Sequence, residues 1–545
     1  MPATVRLSLA TVVWLTGADH AAGELRFREV SASWDLDFRH HNGGSGKRYY
    51  PETDGSGLAL FDFDHDGDLD VLFVDGAPLP GYQGDPPRSV LYRNDGSGRF
   101  VDRMEAAKLD LRGYGMGAAS ADFDADGDLD LYVTHLRDNQ LFRNEGDGTF
   151  TDVTAAAGVG DSLWSMSAAF ADMDRDGDLD LYVANYIDYS LEDPTLCFNE
   201  MLGIGAFCHP ELFDALPDRF YRNRGDATFE DATAAAELAV EPGKAMGVIV
   251  VDLDDDGWLD VYVANDTTPN HLFRNRGDGT FQDTSLLSGT SFGDSGVAEA
   301  GMGVTAADVD GDSRLDIYVT NFSLETNALY LNQGSSFFVD SRSVVGLAQP
   351  SLVPLGFGTA FEDFDLDGDP DLAVANGHIL DNVELMEERE DMTYRQPNQL
   401  FENLGRGRFA EVKDSGIDVV RASRGLARGD LDGDGDADLA ITNSNDRVEV
   451  YENVGATGAG WLAVDLGETP GGAAALGARV DVSAGGKRQR RDLLPVDSYL
   501  SQSESLVRFG LGESERVESL DVRWVDGARS RFLDLPGSRR VRVRR

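Results

Sequence analysis

The 545-residue chain is too long for one ordinary hydrophobic core, so it divides into two or more domains or forms one large repeat architecture. Its formal charge of −50 argues against bare nucleic acid or anionic membrane as a partner and makes cations the natural counterparts. Apolar residues at 41%, with Phe, Tyr, Val and Leu recurring at regular intervals, exclude an acidic disordered chain.

The N-terminus carries Arg6, the apolar run Leu7 to Leu15 and then small residues at Gly17, Ala18, Ala21 and Ala22. That layout predicts a secretion signal over residues 1–22 and an exported protein: secreted, periplasmic or on the cell surface. No later stretch is long and apolar enough for a transmembrane segment.

From there one nine-residue pattern, D-x-D-x-D-x-x-x-D, organises the chain. It begins at Asp62, Asp122, Asp172, Asp252, Asp308, Asp363 and Asp430, with start-to-start spacings of 60, 50, 80, 56, 55 and 67 residues. A small-residue stretch such as Gly115–Ala119 precedes each copy, and an apolar run such as Leu131-Tyr132-Val133 follows. Then come a short strand ending in Asn (Leu141 to Asn144), a Gly-rich turn and a strand opening with Phe (Phe150 to Thr154). Four short strands per repeat, separated by turn residues, predict antiparallel sheets. Seven such units predict an all-β fold, a seven-bladed β-propeller over residues 24–455. Phe27–Ser31 is a Phe-led strand with no unit ahead of it, and the seventh unit ends at Asn453 without one. The N-terminal strand is therefore expected to complete the seventh blade, removing two sheet edges. The longest interval holds an insert, 187–216, expected to be a loop excursion on one face. It carries both cysteines, Cys197 and Cys208, whose short spacing suits a loop-closing disulfide in an oxidising compartment.

Alternating aspartates in a tight loop turn their carboxylates toward one centre. The expected side-chain ligands are Asp62, Asp64, Asp66 and Asp70; Asp122, Asp124, Asp126 and Asp130; Asp172, Asp174, Asp176 and Asp180; Asp252, Asp254, Asp256 and Asp260; Asp308, Asp310, Asp312 and Asp316; Asp363, Asp365, Asp367 and Asp371; Asp430, Asp432, Asp434 and Asp438. Position 7 adds a backbone carbonyl, from Asp68, Asp128, Asp178, Trp258, Arg314, Asp369 and Asp436. A hard-oxygen cage of six to eight ligands suits calcium, so up to seven structural calcium ions are expected. An EF-hand opens similarly but needs Glu at position 12, where this chain has Phe73, Val133, Val183, Val263, Val319, Val374 and Ile441. The fifth loop, with Ser313 at the glycine position, and the sixth, with Pro370 at position 8, depart most from the pattern.

Residues 456–545 lack the loop and hold 15 Lys+Arg against 12 Asp+Glu, where the rest of the chain has 32 against 85. Alternation in Trp461–Leu466, Ala478–Val482 and Leu520–Trp524 predicts a small C-terminal β domain. The terminal run Arg539–Arg545 is basic enough to bind a polyanion, but the favoured reading is a last strand with outward arginines that lean on the acidic repeats.

The repeats resemble FG-GAP/VCBS repeats, the calcium-loop blades of integrin α-subunit propellers. Asp37–Gly43, Pro51-Glu52-Thr53 and Asn376-Gly377-His378 are similar to the cartilage acidic protein-like and ASPIC/UnbV family. So are Leu476–Val480, Ser498–Glu504 and Phe509–Gly512 in the tail. The resemblance implies a seven-bladed calcium propeller, often exported, and supplies no reaction. No H-E-x-x-H arrangement is present. Met116 and Met302 are expected to pack on inner strands. His378 and Asn376, in a turn near a blade end, form the one candidate ligand site outside the loops. The expected function is a monomeric binding or adhesion module taking a protein or glycan through loops on one face. The alternative is an enzyme, or an accessory to one, with its site at the mouth of the central channel.

Overall fold

The computed structural model describes residues 24–96, 98–200, 202–386, 391–456, 458–467 and 473–545. The expected secretion signal lies outside the described residues. The fold is all-β, and every helical segment among the described residues is a single turn of three or four residues.

Each aspartate loop is the hairpin between the first two strands of an antiparallel sheet. In the second unit Gly115–Ala121 pairs with Asp130–His135, which pairs with Gln140–Asn144, which pairs with Phe150–Asp152. Asp130–His135 is buried throughout, so the residues between Asp130 and His135 are apolar or β-branched rather than alternating with charge. Seven four-stranded arrangements of this kind occur. Six use strands in chain order starting at Leu58, Gly115, Ser165, Ala245, Val304 and Gly356, with strands of other sheets interposed in the third and the sixth. The seventh joins Ser423–Gly429, Asp438–Asn443 and Glu449–Asn453 to Phe27–Glu29, with Phe27 opposite Asn453. The first strand of each sheet touches the first strand of the next, and that of the seventh touches that of the first. Glycines make this approach possible: a Cβ on Gly303 would stand 2.1 Å from the Phe357 carbonyl oxygen of the following sheet.

Residues 460–542 form two further sheets. Gly460–Asp465 lies between Val507–Gly512 and Arg539–Arg542; Arg479–Ala484 lies between Lys487–Asp492 and Arg516–Arg523, with Arg529–Pro536 outside. Leu462, Val480, Phe509 and Trp524 share one core with Phe123 and Leu179 of the second and third aspartate loops. Arg540 and Arg542 pair with Asp465 of their own sheet, and Arg545 with Asp526. The basic residues that reach the repeats lie earlier, at Arg479 and in Lys487–Asp492, a correction to the expectation placed on the terminal run. Arg490, fully buried, bonds Asp492, the Asp255 carboxylate at 2.9 Å and the Ser313 carbonyl at 2.8 Å.

The segment 497–502 lies against the first strands of several sheets. Ser501 pairs with Leu58 and Ser498 with Val304, while Gln502 donates to the Ser120 carbonyl at 3.0 Å. Tyr499 and Leu500 are buried there with Met116, Met166, Met302 and Phe357. The insert folds back over the same cluster, with Ile187 bridged to Ala215 and a hairpin of Cys197–Asn199 with Ile204–Ala206. Its two cysteines form a disulfide.

Candidate metal centre

The seven loops repeat one hydrogen-bond plan. The position 1 carboxylate accepts the amide of position 6, from Gly67 N to Asp62 Oδ2 at 3.0 Å through Gly435 N to Asp430 Oδ2 at 3.1 Å. Position 6 needs a left-handed backbone, which glycine adopts freely: Gly127 has φ 101°. Ser313 takes the same region with φ 68°, and its amide still reaches Asp308 at 2.9 Å, so the fifth loop keeps the plan. The sixth does too, because position 8 contributes its carbonyl: Pro370 O accepts from Asn403 as Leu129 O does from Asn144.

Position 9 works as a latch. Asp130 accepts Phe123 N at 3.0 Å and Asn144 N at 2.8 Å, tying both ends of the hairpin to the third strand. The same pair of bonds recurs at Asp70, Asp180, Asp260, Asp316, Asp371 and Asp438. The Asn that ends each third strand carries a role that the sequence reading did not assign. Its side-chain amide donates to the position 2 carbonyl of the preceding unit: Asn144 to Phe63, Asn223 to Phe123, Asn275 to Met173, Asn332 to Leu253, Asn403 to Val309 and Asn453 to Phe364. Asn94 closes the series on Leu431 of the seventh unit at 2.8 Å. The sequence signal was present as a recurrent terminal Asn; its partner lies about 80–100 residues or more away in the chain and was not readable.

Within the loops, carboxylate oxygens of Asp62, Asp64 and Asp66 lie within 4.8 Å of one another, as do those of Asp122, Asp124 and Asp130; Asp172, Asp174 and Asp176; Asp252, Asp254 and Asp260; and Asp308, Asp310 and Asp316. Buried oxygens without a hydrogen-bond partner recur here: Oδ1 of Asp62, Asp64, Asp124, Asp172, Asp252 and Asp363. A buried carboxylate oxygen left without a partner is costly. Burial pushes the Asp70 and Asp130 carboxyls up to about 9, and those of Asp172 and Asp363 to about 7. Burial also raises Asp365 to about 8, and the Asp367 and Asp363 charges beside it push the same way. Each site therefore crowds carboxylates whose charge must be relieved by protons or by a cation, and the donor set is all oxygen, which fits a hard divalent ion.

Protein cations meet part of that demand. Arg93 bonds Asp64 at 2.5 Å and also pairs with Asp66; Arg274 bonds Asp254 and Asp256 at 2.5 and 2.8 Å. At the sixth loop Lys487 approaches Asp369 at 2.9 Å, and Gly510 N donates to Asp363 Oδ2 at 2.8 Å. Position 7 side chains face the neighbouring loop instead: Asp128 bonds His65 at 2.9 Å, and Arg175 stacks on Trp258 at 3.9 Å.

His378 and Asn376 are both buried. His378 Nδ1 accepts Leu380 N at 3.0 Å and its ring meets Phe322; burial, then the Arg424 charge, hold it down near 4, so it is neutral. Asn376 donates to the Pro397 carbonyl at 3.0 Å.

The recurring loop and its latch define a class. The FG-GAP-like repeat family matches residues 62–133, 122–183, 213–263, 252–319, 308–374 and 363–441, and the chain belongs to that family. The ASPIC and UnbV family matches residues 468–545. The chain is similar to cartilage acidic protein 1 of Xenopus tropicalis, 30% identical over 54% of this chain and 44% of that protein. It is also similar to human cartilage acidic protein 1, 27% identical over 86% of this chain and 69% of that one. Among solved structures, a Burkholderia pseudomallei lectin aligns with TM-score 0.42 and 11% identity, covering 74% of this chain and 97% of the lectin. No helix among the described residues is long and apolar enough to cross a membrane.

Proposed function

We propose that the seven sheets are the blades of one closed propeller spanning residues 24–455, that residues 456–545 form a separate β domain docked on it, and that each aspartate loop holds a structural calcium ion. The observation that carries the metal assignment is the set of buried, partnerless carboxylate oxygens recurring at the loops. Charge demand, an all-oxygen donor set and a flexible loop favour calcium over magnesium. The ions would stiffen the rim of the ring, where the loops cluster, rather than react.

On this rigid frame the protein acts as an exported, monomeric binding or adhesion module for a protein or glycan. The insert supports the protein side of that reading: it stands out from one sheet, is cross-linked at Cys197–Cys208, and leaves Phe198, Leu202 and Leu212 exposed. Exposed aromatic and aliphatic side chains on a braced loop are typical anchors for a partner. The test is a binding screen of the calcium-loaded protein against immobilised glycans and extracellular-matrix proteins, repeated with Phe198→Ala and Leu212→Ala. Saturable binding that both substitutions weaken supports the reading; absence of any saturable ligand, or binding indifferent to the insert, contradicts it.

A further inference from the structure

The insert, the first strands and the loops beside them line a cavity of about 190 Å³. Five Tyr and Phe rings wall it: Tyr50, Tyr186, Phe207, Phe322 and Phe357. Three carboxylates join them: Asp54, Asp266 and Glu325. Asp54 is 3% exposed and its Oδ2 has no hydrogen-bond partner. The buried hydroxyl of Tyr499, on the 497–502 segment, is also without a partner. Asp266 accepts the Tyr186 hydroxyl, which in turn meets the Tyr50 hydroxyl at 2.8 Å. Glu325 accepts Ala300 N at 2.8 Å.

Of the basic side chains near these acids, His209 lines the cavity, where its Nδ1 accepts Glu211 N at 3.3 Å, and Lys244 and Arg424 are held elsewhere. Lys244 donates to the Pro210 carbonyl at 2.8 Å. Arg424 donates to the carbonyls of Thr53, Gly377, Ser423 and His378, with its face on Phe357 at 4.2 Å. Burial raises the Asp54 carboxyl to about 7 and that of Asp266 to about 6, so both are costly to ionise without a counter-charge. A cavity with aromatic faces and three carboxylates, with Thr53, Thr267 and His209 as its other polar side chains, suits one chemical class. Aromatic faces attract a cation through their quadrupoles, carboxylates accept its N–H groups, and the rings cover its apolar body.

We propose that this cavity binds a small organic cation: a primary ammonium group on a compact aromatic or aliphatic body. Asp54 and Asp266 receive the ammonium, and Tyr50, Tyr186 and Phe357 enclose the rest. The size is appropriate, since an apolar cavity of about 150 Å³ accepts benzene. The proposal rests on the binding-module reading above and names a ligand class for it.

The test is calorimetric titration of the calcium-loaded full chain with benzylammonium, benzyl alcohol and benzoate, which share a body and differ in charge. Benzylammonium should bind at least about tenfold tighter than benzyl alcohol, and benzoate not at all, because a charge-assisted hydrogen bond or a desolvated cation–π contact is worth about that much. Asp54→Asn and Asp266→Asn should each weaken benzylammonium by about tenfold while leaving benzyl alcohol unchanged. Benzyl alcohol binding as tightly as benzylammonium in the wild-type chain, or no binding of either, overturns the proposal without recourse to a variant. A calcium-dependent melt of the same sample separates the two failures. If calcium stabilises and no ammonium binds, only the ligand class falls; if calcium has no effect either, the platform reading falls with it.

Discussion

The Asn series makes a prediction that does not depend on any metal. Asn144 is fully buried and makes three bonds through its side chain: to the Phe63 carbonyl at 2.8 Å, to the Leu129 carbonyl at 3.1 Å, and from Gly146 N at 3.1 Å. Asn144→Ala removes three hydrogen bonds, strands the buried Phe63 carbonyl and opens a void between the first and second units. At about 1 kcal/mol for each lost partner, the low end of the usual range, the local cost is about 3 kcal/mol. Hydrogen exchange read by mass spectrometry resolves such a change by segment. At about 1.4 kcal/mol per tenfold, amides of residues 62–70 and 122–146 should exchange roughly a hundredfold faster, while those of the fifth unit stay as they were. Exchange within about threefold of wild type in both loops would refute the claim that Asn ties neighbouring units together, as would an equal acceleration in every unit.

Three further outcomes follow from the same geometry. In EDTA the raised loop carboxyls bind protons in the folded chain that the unfolded chain releases. Their contribution is therefore fully present below about pH 4 and is lost as pH rises through 7 to 9, so the metal-free melting temperature should rise on going from pH 8 to pH 5.5. With millimolar calcium, protons compete with the ion and the calcium-induced increment should shrink over the same interval; thermal melts at fixed ionic strength read both. Asp130→Asn should destabilise the fold by about 1–3 kcal/mol even in EDTA, since an amide cannot accept both Phe123 N and Asn144 N, whereas Asp126→Asn, exposed, should matter only when calcium is present. Arg490→Ala strands buried Asp492 and should cost about 3–5 kcal/mol in a denaturant titration, against under about 0.5 kcal/mol for the exposed Arg488→Ala.

The aspartate loops were legible because every element they need is local. Four carboxylates, a glycine and a following apolar strand fall within a dozen residues, and the plan repeats. The strand order within each unit was legible for the same reason, since hairpins are written in adjacent residues. What was not legible depends on residues far apart in sequence. The Asn at position 144 reads as a turn residue until Phe63 is seen beside it. The position 9 aspartates read as ligands alone, yet their two oxygens also hold two backbone amides, a role visible only when the third strand is in place. The charge asymmetry of the tail was plain, but which basic residues use it was not. The terminal run Arg539–Arg545 looked the more basic, whereas Arg490 lies in a strand whose register turns it toward Asp255. Ser498–Glu504 carried a resemblance and no mechanism; its place beside Asp54 follows from the packing of two regions over 400 residues apart.

Melting of the purified chain in EDTA, then with rising calcium, and with magnesium at equal concentration, tests the central claim most directly. Ligand at a hundred times its dissociation constant stabilises a fold by about 2.7 kcal/mol per site, so several occupied loops should raise the transition by tens of degrees with calcium and far less with magnesium. No shift with calcium, or an equal shift with both ions, would contradict the assignment and leave the aspartates as backbone latches and surface charge.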